Sequence, residues 1–298
     1  MSFRPLRARD DWYGLLAVLG LLGLDLLIVR FMSGQPINGL TFVLGLWVLA
    51  SLLAIVYLGY RTIGTFTMRY RVDRDAVTLI WGPTRQIIPL GQIQRVNLGL
   101  GERWHQPSRP WHWPCIHRRR YECEGLGMVN AYATRGLSEQ LLLITPEESY
   151  GISPADSAGF IRALQECYAL GVARPLQPEL ARPPLWTWRL WRDHSALFLI
   201  GIGMLAALLM FGLFCFRLPV ISSDVPLHFD INGLPDRIAP KIGLIVLPAI
   251  GLLAWLVNLV AGIWIYRKVQ HQGAYLLWGG AVLVQMIAGL ALLNAMRW

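Results

Sequence analysis

Five stretches of the chain are apolar for long enough to cross about 30 Å of hydrocarbon, a distance that takes ~20 residues of helix. They run over residues 13–31, 40–60, 196–216, 242–265 and 274–296, and each predicts a membrane helix. The first follows Arg4, Arg7 and Arg9 as the core of a signal peptide would. Its apolar run is long, however, and no small-x-small cleavage pattern follows Arg30, so it predicts a retained helix.

Between the second and third spans the period drops to that of strands. Residues 65–72 and 76–81 are β-rich runs joined by Asp73-Arg74-Asp75, a composition suited to a hairpin turn. Residues 85–89, 94–98, 128–134, 140–145 and 149–152 continue the pattern, giving seven short strands, which predict a small barrel or sandwich. A helix closes the region: Ser153 is the expected N-cap and Pro154 the first helical residue. Phe160, Ile161, Leu164, Cys167 and Tyr168 form its apolar stripe, and Gly171 its stop. Residues 174–184, rich in proline, predict an extended linker.

Strands followed by one capped helix resemble the bacterial pleckstrin-homology-like (PH-like) domains found fused to membrane helices. The resemblance covers residues 62–172. It is carried by Tyr70-Arg71-Val72-Asp73, by Ile88-Pro89-Leu90 with Ile93, by Leu141-Leu142-Leu143-Ile144-Thr145, and by Tyr150-Gly151-Ile152-Ser153-Pro154 with Phe160-Ile161. The expected plan is a helical pair over 1–60, a PH-like domain over 61–173, a linker and interfacial Trp/Arg segment over 174–195, and a three-helix membrane region over 196–298. The fold class is therefore an α-helical integral membrane protein of five spans with an inserted PH-like β-barrel or sandwich capped by one helix.

Composition strengthens the membrane reading. The chain is 55% hydrophobic and 15% charged with mean hydropathy +0.45, against about 25% charged for an ordinary soluble domain. The four cysteines, Cys115, Cys123, Cys167 and Cys215, form no CxxC pair, as expected of free thiols in a reducing compartment. The net charge of +9 is nearly all arginine, Lys241 and Lys268 being the only lysines. On a membrane protein such a balance points first to anionic headgroups and orientation, and no nucleic-acid partner is expected. Arg4, Arg7, Arg9, Arg61, Arg69, Arg71, Arg189, Arg192, Arg267 and Lys268 all flank one side, which predicts an inner-membrane protein with its N-terminus and residues 61–192 in the cytoplasm and its C-terminus outside.

The loop 217–241 between the third and fourth spans holds Pro226, His228, Asp230, Gly233, Pro235, Asp236, Arg237 and Lys241. Asn232-Gly233 suits a tight turn, and Pro226 and Pro235 stiffen its arms. Pro226-x-His228-Phe229 with Gly233-x-Pro235-Asp236-Arg237 and Lys241 resembles the signature of a bacterial membrane family of unknown function that also forms the front of Sdp-type immunity proteins. The resemblance covers residues 196–262 and implies paired helices with a structured outer loop, and peptide sensing or immunity. The polar residues read either as groups that bond the loop to itself, as a recognition surface for a peptide or protein, or as a metal site.

From residue 103 to 124 the strands are interrupted by a cationic and aromatic segment with Arg103, Trp104, Trp111, Trp113, Arg118, Arg119 and Arg120. It suits lipid headgroups or packing against the helices of this protein or of a partner. Zinc held by His105, His112, Cys115, His117 and Cys123, and single-stranded nucleic acid, are further readings. Trp186, Trp188 and Trp191 with Arg189 and Arg192 predict an interfacial anchor before the third span. Within the spans Asp25, Asn258 and Gln285 are candidates for an interhelical hydrogen bond, a subunit contact or ion movement. No HExxH, GxSxG or phosphate-binding loop occurs, so the expectation is a non-enzymatic interaction protein without cofactor or catalytic residues, partnered by lipid and by another membrane protein or a second copy of itself. The alternative is a transporter or peptide-immunity protein.

Overall fold

The computed structural model describes residues 1–7, 10–99, 104–105, 118–123, 127–136, 139–174, 176–181, 183, 188–229, 235–268 and 271–296. Contacts divide the chain into two units, Met1–Leu24 with Ser51–Trp186, and Asp25–Ala50 with Thr187–Trp298.

Five long helices carry the apolar runs: α1 Asp10–Met32, α2 Gly39–Phe66, α4 His194–Arg217, α5 Val246–Arg267 and α6 His271–Ala295. Each is long and apolar enough to cross a membrane. Leu26, Val56, Phe198, Val260 and Leu276 stand 67–77% exposed, and helices apolar on every face are stable only where lipid replaces water. The chain is a multi-pass membrane protein.

In the first unit α2 runs on through Thr65 and Phe66, which the β-rich pattern assigns to a strand. The Thr65 hydroxyl donates to the Arg61 carbonyl (3.1 Å), the i−4 back-bond that a helical threonine can make. Gly64 has no side chain because Trp81 lies there: a Cβ would fall 2.6 Å from the indole. The same indole meets the Tyr60 ring edge-on at 5.3 Å.

The strands form two hydrogen-bonded sheets. One has the order β1-β2-β3-β4-β11, with β1 Ser2–Phe3, β2 Arg69–Val72, β3 Ala76–Trp81, β4 Thr84–Pro89 and β11 Glu179–Ala181. The other has the order β5-β9-β10-β8-β7-β6, with β5 Arg95–Leu98, β6 Trp104–His105, β7 Arg118–Cys123, β8 Gly127–Tyr132, β9 Leu141–Ile144 and β10 Ser149–Ile152. Strands β1 and β11 lie outside the sequence pattern because two or three residues show no alternation. The middle of the linker, expected to be merely extended, adds an edge strand by pairing Glu179 with Ile87 and Ala181 with Arg85.

Helix α3, Ser157–Ala169, covers these sheets. Its cap is Asp156, whose carboxylate accepts from Gly159 N (2.7 Å), and not Ser153 as the sequence suggests. The Ser153 hydroxyl is already committed, accepting from Thr134 N (2.8 Å). Phe160, Leu164 and Cys167 face inward as expected, whereas Tyr168 is 66% exposed. At 100° per residue Tyr168 sits about 80° around the helix from Phe160, and Cys167 only about 20°. Gly171 ends the helix at φ 70°. The inward residues join Tyr70, Leu79 and Ile88 of one sheet and Leu141, Leu143 and Ile152 of the other in a single core. This is a PH-like sheet region capped by a helix.

In the second unit α4, α5 and α6 pack through small residues. Gly203 admits Trp255, whose indole N–H donates to the Ile200 carbonyl (3.1 Å), and Gly212 admits Phe42. Between α4 and α5 stands the hairpin of β12 Asp224–Phe229 and β13 Pro235–Pro240, followed by a 3-10 turn, Lys241–Ile245.

Candidate interaction surfaces

The β2–β3 turn carries several charged side chains, and they are spent internally. The Arg71 guanidinium pairs with Asp73 (2.9 Å). Arg74 turns back onto the last turn of α3, donating to the carbonyls of Gly171 (2.9 Å) and Leu170 (3.0 Å), where a cation best matches the helix dipole. Asp75 accepts from Ala173 N (2.7 Å) and Arg174 N (3.0 Å). The turn fastens the exit of α3 instead of presenting cations to a ligand.

Of the cationic segment, Arg118, Arg119 and Arg120 are not part of an interruption: they open β7, in register with Tyr132, Ala131 and Asn130 of β8. Trp104 of β6 pairs with Cys123 of β7. Arg103, Trp111 and Trp113 lie outside the described residues, as do His112, Cys115 and His117 of the zinc reading. No group of three or more His, Cys, Asp or Glu that would suit a metal occurs among the described residues.

The loop between the third and fourth spans is a hairpin with bulges on either side of His228, which pairs with Arg237; Phe229 pairs with Pro235 and Pro226 with Ile238. Asp236 follows Pro235 in β13, while Asp230 and Gly233 lie outside the described residues. The hairpin's foot is fixed. Val225 is fully buried among Phe214, Leu218, Leu244 and Leu292. Lys241 closes the base, its N–H donating to the Ser223 carbonyl (2.9 Å) and its ammonium to the Ile221 carbonyl (3.1 Å).

The intramembrane polar residues are held in different ways. Asp25 is 6% exposed. Asn258 donates to Ala254 of its own helix (2.8 Å). Gln285, 1% exposed, crosses from α6 to the Gly251 carbonyl of α5 (3.3 Å), leaving its own carbonyl oxygen buried without a partner among the described residues.

The strongest polar constellation of the helical unit is one the sequence patterns miss. Asp193 caps α4, accepting from Ala196 N (3.0 Å), and one of its oxygens also accepts from the hydroxyls of Tyr275 (2.5 Å) and Tyr266 (2.8 Å). One carboxylate thereby ties the start of α4 to the end of α5 and the start of α6. These bonds, that from Tyr275 foremost and then that from Ala196, hold its pKa below the usual carboxylate value. The available signal was an Asp directly before an apolar run, with tyrosines at the ends of two others.

The same end of α5 and α6 depends on a close approach. A Cβ on Gly262 would lie 2.2 Å from the indole nitrogen of Trp278, itself 3% exposed. Gly262→Ala is expected to cost about 1–3 kcal/mol, read as a lower melting midpoint in detergent. Adding Trp278→Phe should recover part of the loss, and an unchanged midpoint in the single variant would contradict the packing.

Residues 68–167 match the family model of the bacterial PH domain, and residues 205–252 match that of a domain of unknown function, DUF1648. The first match runs from β2 through β10 and most of α3. The second runs from within α4 through the hairpin into α5. No curated protein and no solved structure matches the chain. A PH-like domain carried on membrane helices suggests a non-catalytic role in mediating interactions.

Proposed function

We propose that this chain is an inner-membrane interaction protein, an accessory subunit, scaffold or envelope sensor. In this reading the N-terminus and the PH-like domain face the cytoplasm, where β7 docks a partner membrane protein, a second copy of the chain or lipid. The C-terminus and the 224–240 hairpin lie outside, and the hairpin presents a recognition surface. The observation that carries it is a PH-like domain with its own two-sheet core set between the second and third spans. The arginine asymmetry supports the orientation.

The test is native mass determination after gentle detergent extraction, with the wild type beside a chain carrying Arg118→Ala, Arg119→Ala and Arg120→Ala. A larger wild-type assembly that loses at least ~10-fold of its partner in the variant, about 1.4 kcal/mol of docking energy, is the expected result. A wild type that travels alone would overturn docking.

A second reading, transport or peptide immunity, draws on buried Asp25 and Gln285 and on the immunity-protein resemblance of the hairpin. Loss of function in Asp25→Asn with assembly intact would favour it.

A further inference from the structure

Arg4, Arg7 and Arg69 line a cleft of about 230 Å³ beside Thr65 and Phe66, at the end of α2, and among the described residues no carboxylate lines it. We propose that this cleft seats the phosphate of one anionic phospholipid headgroup, its acyl chains running along the apolar surface of the span.

The arginines stand on fixed backbone. Ser2 and Phe3 pair with Arg71 and Tyr70 of β2, and the Phe3 ring packs edge-on to Phe160 at 5.3 Å. The Arg4 carbonyl accepts from Ala155 N (2.9 Å), Pro5 bridges to Pro154, and Leu6 N donates to the Ser153 carbonyl (2.9 Å). The residues around Arg4 and up to Arg7 are thus pinned to the PH-like domain. Arg69 heads β2, whose alternation turns Arg69 and Arg71 outward and buries Tyr70 and Val72.

An arginine at a helix end commonly serves the last carbonyls, and here several carbonyls near the end of α2 are already taken by other donors. The Arg61 carbonyl accepts from the Thr65 hydroxyl, that of Ile63 from the N–H (2.9 Å) and hydroxyl (2.7 Å) of Thr67, and that of Thr65 from Met68 N (3.2 Å). Three cations line one space in which no described side chain is anionic, a charge balance that favours a bound anion.

The level of the cleft selects the source of that anion. It opens where a 28-residue apolar helix ends, and the Phe66 ring meets half-exposed Trp12 of α1 edge-on at 5.6 Å. Paired aromatics at the end of apolar spans mark the headgroup layer, so the phosphate within reach is that of a lipid.

The test uses the full-length protein in nanodiscs of mixed phosphatidylglycerol and phosphatidylcholine, counting retained lipid by native mass spectrometry. The wild type should keep one phosphatidylglycerol in preference to phosphatidylcholine. Arg69→Gln should weaken retention about 5-fold, and the triple change of Arg4, Arg7 and Arg69 to glutamine on the order of 100-fold. The corresponding lysine triple should keep most of the binding, and Arg71→Gln, on the same face of β2 but paired with Asp73, should change nothing. Equal retention in the glutamine triple, no phosphatidylglycerol preference in the wild type, or equal thermal protection by inorganic phosphate without lipid would each overturn the proposal. Because the arginines of β7 are untouched, these results are independent of whether that strand docks a partner.

Discussion

Asp193→Ala should weaken the helical unit by on the order of 3 kcal/mol, more than a surface aspartate has any claim to. The cap bond to Ala196 N is worth ~1 kcal/mol and a hydrogen bond to a charged acceptor ~1.5–3 kcal/mol. Rehydration of the two freed hydroxyls at the membrane edge offsets part of that sum. Asp193→Asn keeps an acceptor and a cap, so its loss should be nearer ~1 kcal/mol. Melting curves of the three proteins in one detergent decide the order, and equal midpoints for wild type and alanine variant would show that the tyrosines do not hold α4. The pH dependence has a definite sign. Since the folded pKa of Asp193 lies below the ordinary value, its contribution is complete above about pH 4 and is lost as pH falls through the folded value. The gap between wild type and Asp193→Asn should therefore stay constant from neutral pH down to about pH 4 and close below it.

The elements legible in the sequence are those whose signal repeats within a short window. All five spans announce themselves through uninterrupted apolar runs, and the strand-then-helix order through alternation and Gly171. What stayed hidden depends on partners far along the chain. Ser2 and Phe3 become a strand only because β2 offers an edge about 70 residues away, and Glu179 to Ala181 only because β4 offers another. Ser153 carries a good cap composition, yet its hydroxyl is taken by Thr134 from a neighbouring strand, and the cap passes to Asp156. Thr65 and Phe66 favour strand by type and remain helical because the turn before them is already formed.

The candidate sites follow the same rule. Polar residues stood out where they interrupt an apolar run, as Asp25 and Gln285 do, and a lone carboxylate ahead of a span did not. Yet Asp193 gathers three donors from three helices, while Asn258, singled out within a span, returns its amide to its own helix. Among the charges of the β2–β3 turn, Arg74 shows the same reliance on distant partners. Arg71, read in sequence only as an orientation flank, and Arg74, read only as a turn residue, are both committed to the fold by geometry.

The other large effect belongs to Phe160. Its side chain is fully buried and lies among residues of both sheets, with Phe3 edge-on against it. Phe160→Ala removes an aromatic ring from a site whose walls are strands already fixed by their ladders, so the cavity should collapse little and the cost should approach 3–5 kcal/mol. For a domain with 5–15 kcal/mol in hand that is a large share, enough for frequent opening at 37 °C. Tyr168→Ala on the exposed face of the same helix should stay within about 0.5 kcal/mol. Hydrogen exchange read peptide by peptide is the decisive measurement: the variant should lose protection in β2, β3, β9, β10 and α3 while α4, α5 and α6 keep theirs. Equal loss in those three helices would mean that the sheets and the helical unit unfold as one. The PH-like region would then not be a separately held module, and the docking reading, which leans on that separateness, would lose its main support.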